Sequence, residues 1–259
     1  MDRLMTRIRI AAIAVLVGVA LSGGAAPAED QRGTRAETEE TARLLANLLR
    51  AGRLVVDDNQ TLIDDPHRAD KGFTPEEFER QVAVRYRKMT GIDLTNLDDV
   101  PVSAALPPLA KRLLPDLLEA AKQVVRDAQL VINQKGVGYK NFIPATFGSQ
   151  TAARFSKQLR IRLKQTTINP RNPKNEPDEY ETSVLAWLSQ RPRAEAYVSE
   201  LTDQGGTLRV VMPIYYEKAC LVCHGEPKGD LDISGYPKEG GKEGDLAGAI
   251  TVTAPLDMP

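Results

Sequence analysis

The chain has 259 residues and a mass of 28.4 kDa, enough for one or two domains with a full core. Its 34 lysines and arginines balance 35 aspartates and glutamates, a formal charge of -1, which argues for neither a basic nucleic-acid footprint nor an acidic tail. With 42% hydrophobic and 5% aromatic residues, the composition is that of a globular domain rather than a disordered or fibrous chain.

The first segment has the order of a secretory signal. Arg3, Arg7 and Arg9 precede an apolar run from Ile10 to Leu21, and small residues follow to Ala26-Pro27-Ala28. Cleavage is expected after Ala28, leaving a domain over 29–259 outside the cytoplasm, in a bacterial periplasm or otherwise exported. The apolar run is shorter than the roughly 20 residues a spanning helix needs, so membrane contact arises only if the signal stays uncleaved.

From Thr34 to about Ile63, Leu45, Leu48, Leu49, Gly52, Val55, Val56 and Leu62 mark one face of a long amphipathic helix. That face serves the core, and a homodimer seam along the same helix is the second expectation. Asp65-Pro66 ends it. Thr74-Pro75-Glu76-Glu77 opens the next helix with a cap, a proline at the first helical position and two acids, and this helix should end near Met89, before Gly91. A third helical stretch runs from Pro107 to Lys135, with Pro115 marking a kink or a start. After a short extended segment, 136–144, a basic helix is predicted over Ala145–Thr166 with Phe155, Leu159 and Leu163 inward.

The stretch NPRNPKNEPDEYE, Asn169–Glu181, carries three prolines and reads as a rigid loop leading into a helix over Asp178–Gln190, with Trp187 in the core. The pattern then turns to strands. Ala194–Leu201 and Thr207–Tyr216 flank Asp203-Gln204-Gly205-Gly206 as a hairpin, and Leu246–Pro255 is a further strand beyond a glycine-rich loop. Helices over 34–190, then mostly strands and loops over 191–259, with no linker between, define the α+β class: an antiparallel sheet flanked by helices.

Both cysteines and one of only two histidines fall in one pentapeptide, Cys220-Leu221-Val222-Cys223-His224. In Cys-x-x-Cys-His the two thiols are spaced to add across two haem vinyl groups, and the adjoining imidazole can reach the iron. One covalent haem c is therefore the expected cofactor, with His224 as proximal iron ligand. A thioredoxin-type disulfide fits poorly, because that motif belongs to a βαβ context. Zinc held by Cys220, Cys223, His224 and His67 would need two adjacent residues on one tetrahedral ion. Both readings remain open on the sequence.

The distal side is less defined. His67, in the polar loop DDPHRADKG, is the distal candidate, although an exposed histidine is the plainer reading. Met89 and Met212 are possible ligands or core fillers, and Met258 is next to the last residue, where chains fray. Tyr139, Tyr215 and Tyr216 are candidates to cover the haem or to hydrogen-bond a bound gas. Arg171 and Lys174 are candidates to pair with the haem propionates.

Four stretches, FIPATFG (Phe142 to Gly148), NPRNPKNEPDEYE, ACLVCHG (Ala219 to Gly225) and YPKEGGKEGDLAGAITVTAPL (Tyr236 to Leu256), together resemble the exported c-type haem family with a PAS-like fold. That family often forms the sensory input region of bacterial histidine kinases. The resemblance covers nearly all of the chain after residue 28. It implies one haem held by Cys220 and Cys223, His224 as proximal ligand, and a role in sensing redox state or a diatomic gas. A distal cysteine, used by some members, has no counterpart here, and the sequence ends at Pro259 without a transmitter segment, so the signal is expected to pass to a separate redox or signalling partner. An electron-transfer cytochrome is the alternative. A haem peroxidase is a third, with His67 the one histidine left for acid-base work.

Overall fold

The computed structural model describes residues 28–98, 106–157, 159–191, 193 and 197–257, with side chains from Arg35 onward. The expected signal segment up to residue 27 and Met258 lie outside the described residues, and no described helix is long and apolar enough to cross a membrane.

Helix α1 (Ala28–Asp58) breaks at Asn59, and one further turn, α2 (Gln60–Ile63), completes the long element read from the sequence. Its apolar stripe, Leu45, Leu48, Leu49, Val55 and Val56, is buried inside the chain's own core. Helix α3 (Pro75–Thr90) starts as its sequence dictates: the Thr74 hydroxyl accepts from the Glu77 N–H at 3.2 Å, and left-handed Gly91 closes it. Helix α4 (Pro108–Asp127) passes through Pro115 and a short turn, α5 (Gln129–Ile132), follows. Pro115 is therefore not a start. It sits on the exposed side, where water can serve the Lys111 carbonyl left without its N–H.

The basic helix expected over Ala145–Thr166 is a correction. Helix α6 (Pro144–Ser156) ends early, and Arg162–Thr166 is strand β1. Phe155, Leu159 and Leu163 satisfy a helical spacing, but Ile161, Leu163 and Gln165 are buried in alternation with exposed Arg160 and Arg162, and that period of two prevails. Helix α7 (Glu179–Ser189) carries a capping box between Asp178 and Glu181. It buries Glu181, Val184, Leu185 and Leu188, and this face leaves Trp187 38% exposed, so Trp187 is not core; Arg191 lies over its ring instead, 3.8 Å from the centroid.

Strands β2 (Val198–Thr202) and β3 (Thr207–Tyr215) form the expected hairpin, and β4 (Leu246–Pro255) has the bounds read from the sequence. The sheet is antiparallel throughout, in the order β1-β4-β3-β2. Alternation along the strands gives it two faces. Leu208, Val210, Met212, Ile250, Val252 and Ala254 face the helical layer of α1, α3, α4 and α6, whereas Val211 and Ala249 pack on α7. Glu181 of α7, 2% exposed, accepts from Lys164 of β1 at 2.7 Å and from the Thr251 hydroxyl of β4 at 2.7 Å. This polar clamp fixes α7 on its face of the sheet.

Candidate functional site

The site sits where the sheet becomes irregular. The β3–β4 register shifts between Ile214 and Tyr215, an irregularity of the bulge type at the end of β3. Gly248 occupies φ +149° there, and a Cβ on it would lie 2.4 Å from the Thr166 carbonyl oxygen, so close strand packing beside the site requires glycine. Beyond β3, the Tyr216 N–H bonds the Asp245 carbonyl and the Gly244 N–H bonds the Tyr216 carbonyl, both at 2.9 Å.

A 3-10 turn at Lys218–Cys220 and a single helical turn, α8 (Leu221–His224), carry the pentapeptide. Cys220 and Cys223 are three residues apart on consecutive turns and open toward the same cleft as His224. Both are free thiols. Burial pushes both thiols up, the opposite of the activated thiolate that a thioredoxin-type pair needs.

The glycine-rich loop from 225 to 244 folds back over α8. The Gly241 N–H donates to the His224 carbonyl at 2.7 Å and the Gly240 N–H to that of Gly225 at 3.1 Å. The Tyr216 ring stacks on the His224 imidazole, 5.2 Å between centroids at 25°, and a Cβ on Gly241 would come within 2.6 Å of that tyrosine ring. Burial pushes the Tyr216 hydroxyl up to about 12, so this ring stays neutral.

The imidazole is held from its other edge. His224 Nδ1 lies 2.8 Å from Glu239 Oε2. Arg171, from the proline-rich loop, donates through Nε to Glu239 Oε1 at 2.8 Å, through Nη1 to Asp232 Oδ2 at 2.5 Å and through Nη2 to the Cys223 carbonyl at 2.9 Å. Asp232 is fully buried and accepts three further bonds, from the Ser234 N–H and hydroxyl and the Tyr236 N–H. Burial would raise its carboxyl, but the bonds from Ser234 and Arg171 hold it well below the usual range. Burial acts on Glu239 in the same sense, and Arg171 and His224 together reverse it.

These groups border a cleft of about 390 Å³. Ile143 and Thr146 of the first stretch, Asn169 and Arg171 of the second, the pentapeptide, and Tyr236, Glu239 and Gly248 of the last all line it. The four stretches read as a family resemblance, scattered over 115 positions from 142 to 256, thus meet at one place. Tyr139 and Tyr216 also line it. Tyr215, Lys174, Met89 and Met212 do not, and His67 lies in an exposed loop off the cleft, its backbone N–H bonded to Asp65. Among the described residues no cluster of three or more His, Cys, Asp or Glu is arranged to hold a metal ion.

Arg53 is a cleft residue that the sequence reading missed. It projects from α1, half-buried, and donates to the Gln165 side-chain oxygen. Gln165 in turn donates to the Ala145 carbonyl at 2.6 Å and to Ser149 at 2.8 Å. No carboxylate lies within ion-pair distance of Arg53 among the described residues, and burial brings its guanidinium down to about 10, still charged at neutral pH. The signal was present: Arg53 falls between Leu49 and Val56 on the buried stripe, where a charge needs a reason.

Fold and site together define an α+β protein whose two free thiols and one oriented imidazole share one cleft. The chain belongs to the Tll0287-like family, whose sequence pattern matches residues 30–255. No curated protein matches it. Among solved structures, the crystal structure of the cyanobacterial heme-protein Tll0287 is similar at 17% identity, over 57% of this chain and 98% of that one, with a TM-score of 0.39.

Proposed function

We propose that the chain is an exported c-type haem protein of PAS-like fold that senses redox state or a diatomic gas. The observation that carries this reading is the meeting of the Cys220 and Cys223 thiols with the His224 ring at one cleft, with Nδ1 engaged by Glu239 and Nε2 left for a metal. The donor set suits haem: two unpaired sulfurs for thioether bonds and one imidazole beside them. The family is named for a heme-protein, in keeping with this assignment.

The chain's own residues divide the work. Cys220 and Cys223 would tether the group and His224 would ligate it, while Tyr216 and the 225–244 loop pack around that imidazole. Arg171 is engaged by Asp232 and Glu239, so Arg53 would join the sequence candidates Arg171 and Lys174 as a counter-charge for the haem carboxylates. When bound, the haem supplies an iron whose oxidation state or exogenous ligand can change. Tyr139, a residue of the lining, could hydrogen-bond an exogenous ligand, which supports sensing over permanent electron transfer.

The test is the absorption spectrum of the reduced protein, made in a host with haem-attachment machinery, before and after carbon monoxide. A prompt shift of the reduced bands is expected. Haem bands unmoved by the gas would replace gas sensing with electron transfer or redox sensing. An exposed apolar rim beside the motif, Val222, Leu231, Ile233 and Tyr236, is the feature that would serve a redox partner in that case.

A further inference from the structure

Glu239 is placed to do more than brace a loop. Its carboxylate is held by two guanidinium nitrogens of Arg171, Nε on Oε1 at 2.8 Å and Nη2 on Oε2 at 3.1 Å, and a carboxylate so paired is an acceptor only. The nitrogen 2.8 Å from Oε2, His224 Nδ1, must therefore be the donor, so the neutral ring carries its proton there and leaves Nε2 bare. The contact is not accidental crowding. Glu239 reaches His224 because the loop backbone is zipped to α8 at residues 240 and 241, and Arg171 is itself anchored by fully buried Asp232.

We propose that Glu239 is a positioning residue for the proximal ligand, and that the Arg171–Glu239–His224 chain sets how strongly the imidazole donates to the haem iron; this rests on the haem reading above. A carboxylate accepting from the far ring nitrogen raises the basicity of the nitrogen that binds the metal and favours the oxidised iron. Arg171 tempers the effect by drawing on the same carboxylate. The chain also links the ligand to the proline-rich loop, 61 residues from Asp232 in sequence, so a shift of that loop alters the iron.

The experiment uses the full chain with haem attached, comparing wild type, Glu239→Gln and Glu217→Gln by spectroelectrochemistry and resonance Raman. Glu239→Gln keeps an oxygen for Nδ1–H but removes the charge. Glu217 is an exposed acid next in sequence to the Lys218–Cys220 turn, outside the cleft lining, and so controls for loss of a nearby charge alone.

Glu239→Gln is expected to shift the reduction equilibrium about tenfold toward the ferrous form, about 59 mV for one electron. The iron–histidine stretching frequency should fall with it, and Glu217→Gln should move the equilibrium less than about threefold and leave that frequency in place. Equal shifts in the two variants, or an unchanged iron–histidine frequency in Glu239→Gln, would overturn the proposal while leaving the haem assignment intact. Wild type without covalent haem is a different failure, and overturns the haem reading together with what rests on it.

Discussion

Arg171→Leu is the substitution that most directly probes how the motif is held. Arg171 is 22% exposed and its Asp232 partner 0%, so the change strands a carboxylate away from water. Removing one partner of a buried pair costs about 3–5 kcal/mol. Asp232 keeps three other hydrogen bonds, from Ser234 and Tyr236, which places the loss near the lower end, about 3 kcal/mol. Glu239 is 43% exposed, and its share of the loss is screened to under about 1 kcal/mol. Urea unfolding of Arg171→Leu, Asp232→Asn and the double variant measures these terms, provided the slope with denaturant stays constant. The double variant should recover about 1–2 kcal/mol relative to the sum of the singles, because the stranded charge is gone. A loss under about 1 kcal/mol for Arg171→Leu, with strictly additive singles, would refute the buried clamp.

Three further outcomes follow from the same geometry. The Asp232 and Glu239 carboxyls both lie below their unfolded values of about 3.9 and 4.3. Their contribution is thus complete above about pH 5 and is lost as pH falls through the lower folded values, so the stability gap between wild type and Arg171→Leu should be flat at higher pH and shrink below about pH 4. Gly241→Ala drives a methyl into the Tyr216 ring and should cost about 1–3 kcal/mol in urea unfolding; an unchanged midpoint would contradict the loop packing. Leu185→Ala on the buried face of α7 should cost about 2–5 kcal/mol, well above the neighbouring Trp187→Ala; the reverse order would contradict the orientation of α7.

Much of this architecture was legible in local signals. The Thr74-Pro75 start, the hairpin at 203–206 and the whole of β4 announce themselves through residues that act on their own neighbours. The motif helix ends at His224, where Gly225 and then Pro227 cannot continue it. β1 was hidden because LRIRLKQT satisfies two periodicities, and pairing with β4, some 90 residues away, decides between them. The Cys220-Cys223-His224 triad could be read from spacing alone. Glu239 and Asp232 could not, since a charged residue in a loop looks solvated until tertiary packing brings Arg171 against it, whereas Arg53 was marked by its place on the buried stripe of α1. His67 had chemistry but no position to use it: the polar loop that made it conspicuous also keeps it exposed and off the cleft.

The central claim is that Cys220 and Cys223 hold a haem covalently. Intact mass of the chain, made with haem-attachment machinery and then fully denatured, tests it most directly. The account predicts a mass increase of one haem that survives denaturation and disappears in the Cys220→Ala, Cys223→Ala variant. An unmodified mass, or one lower by two hydrogens as a disulfide requires, would contradict it.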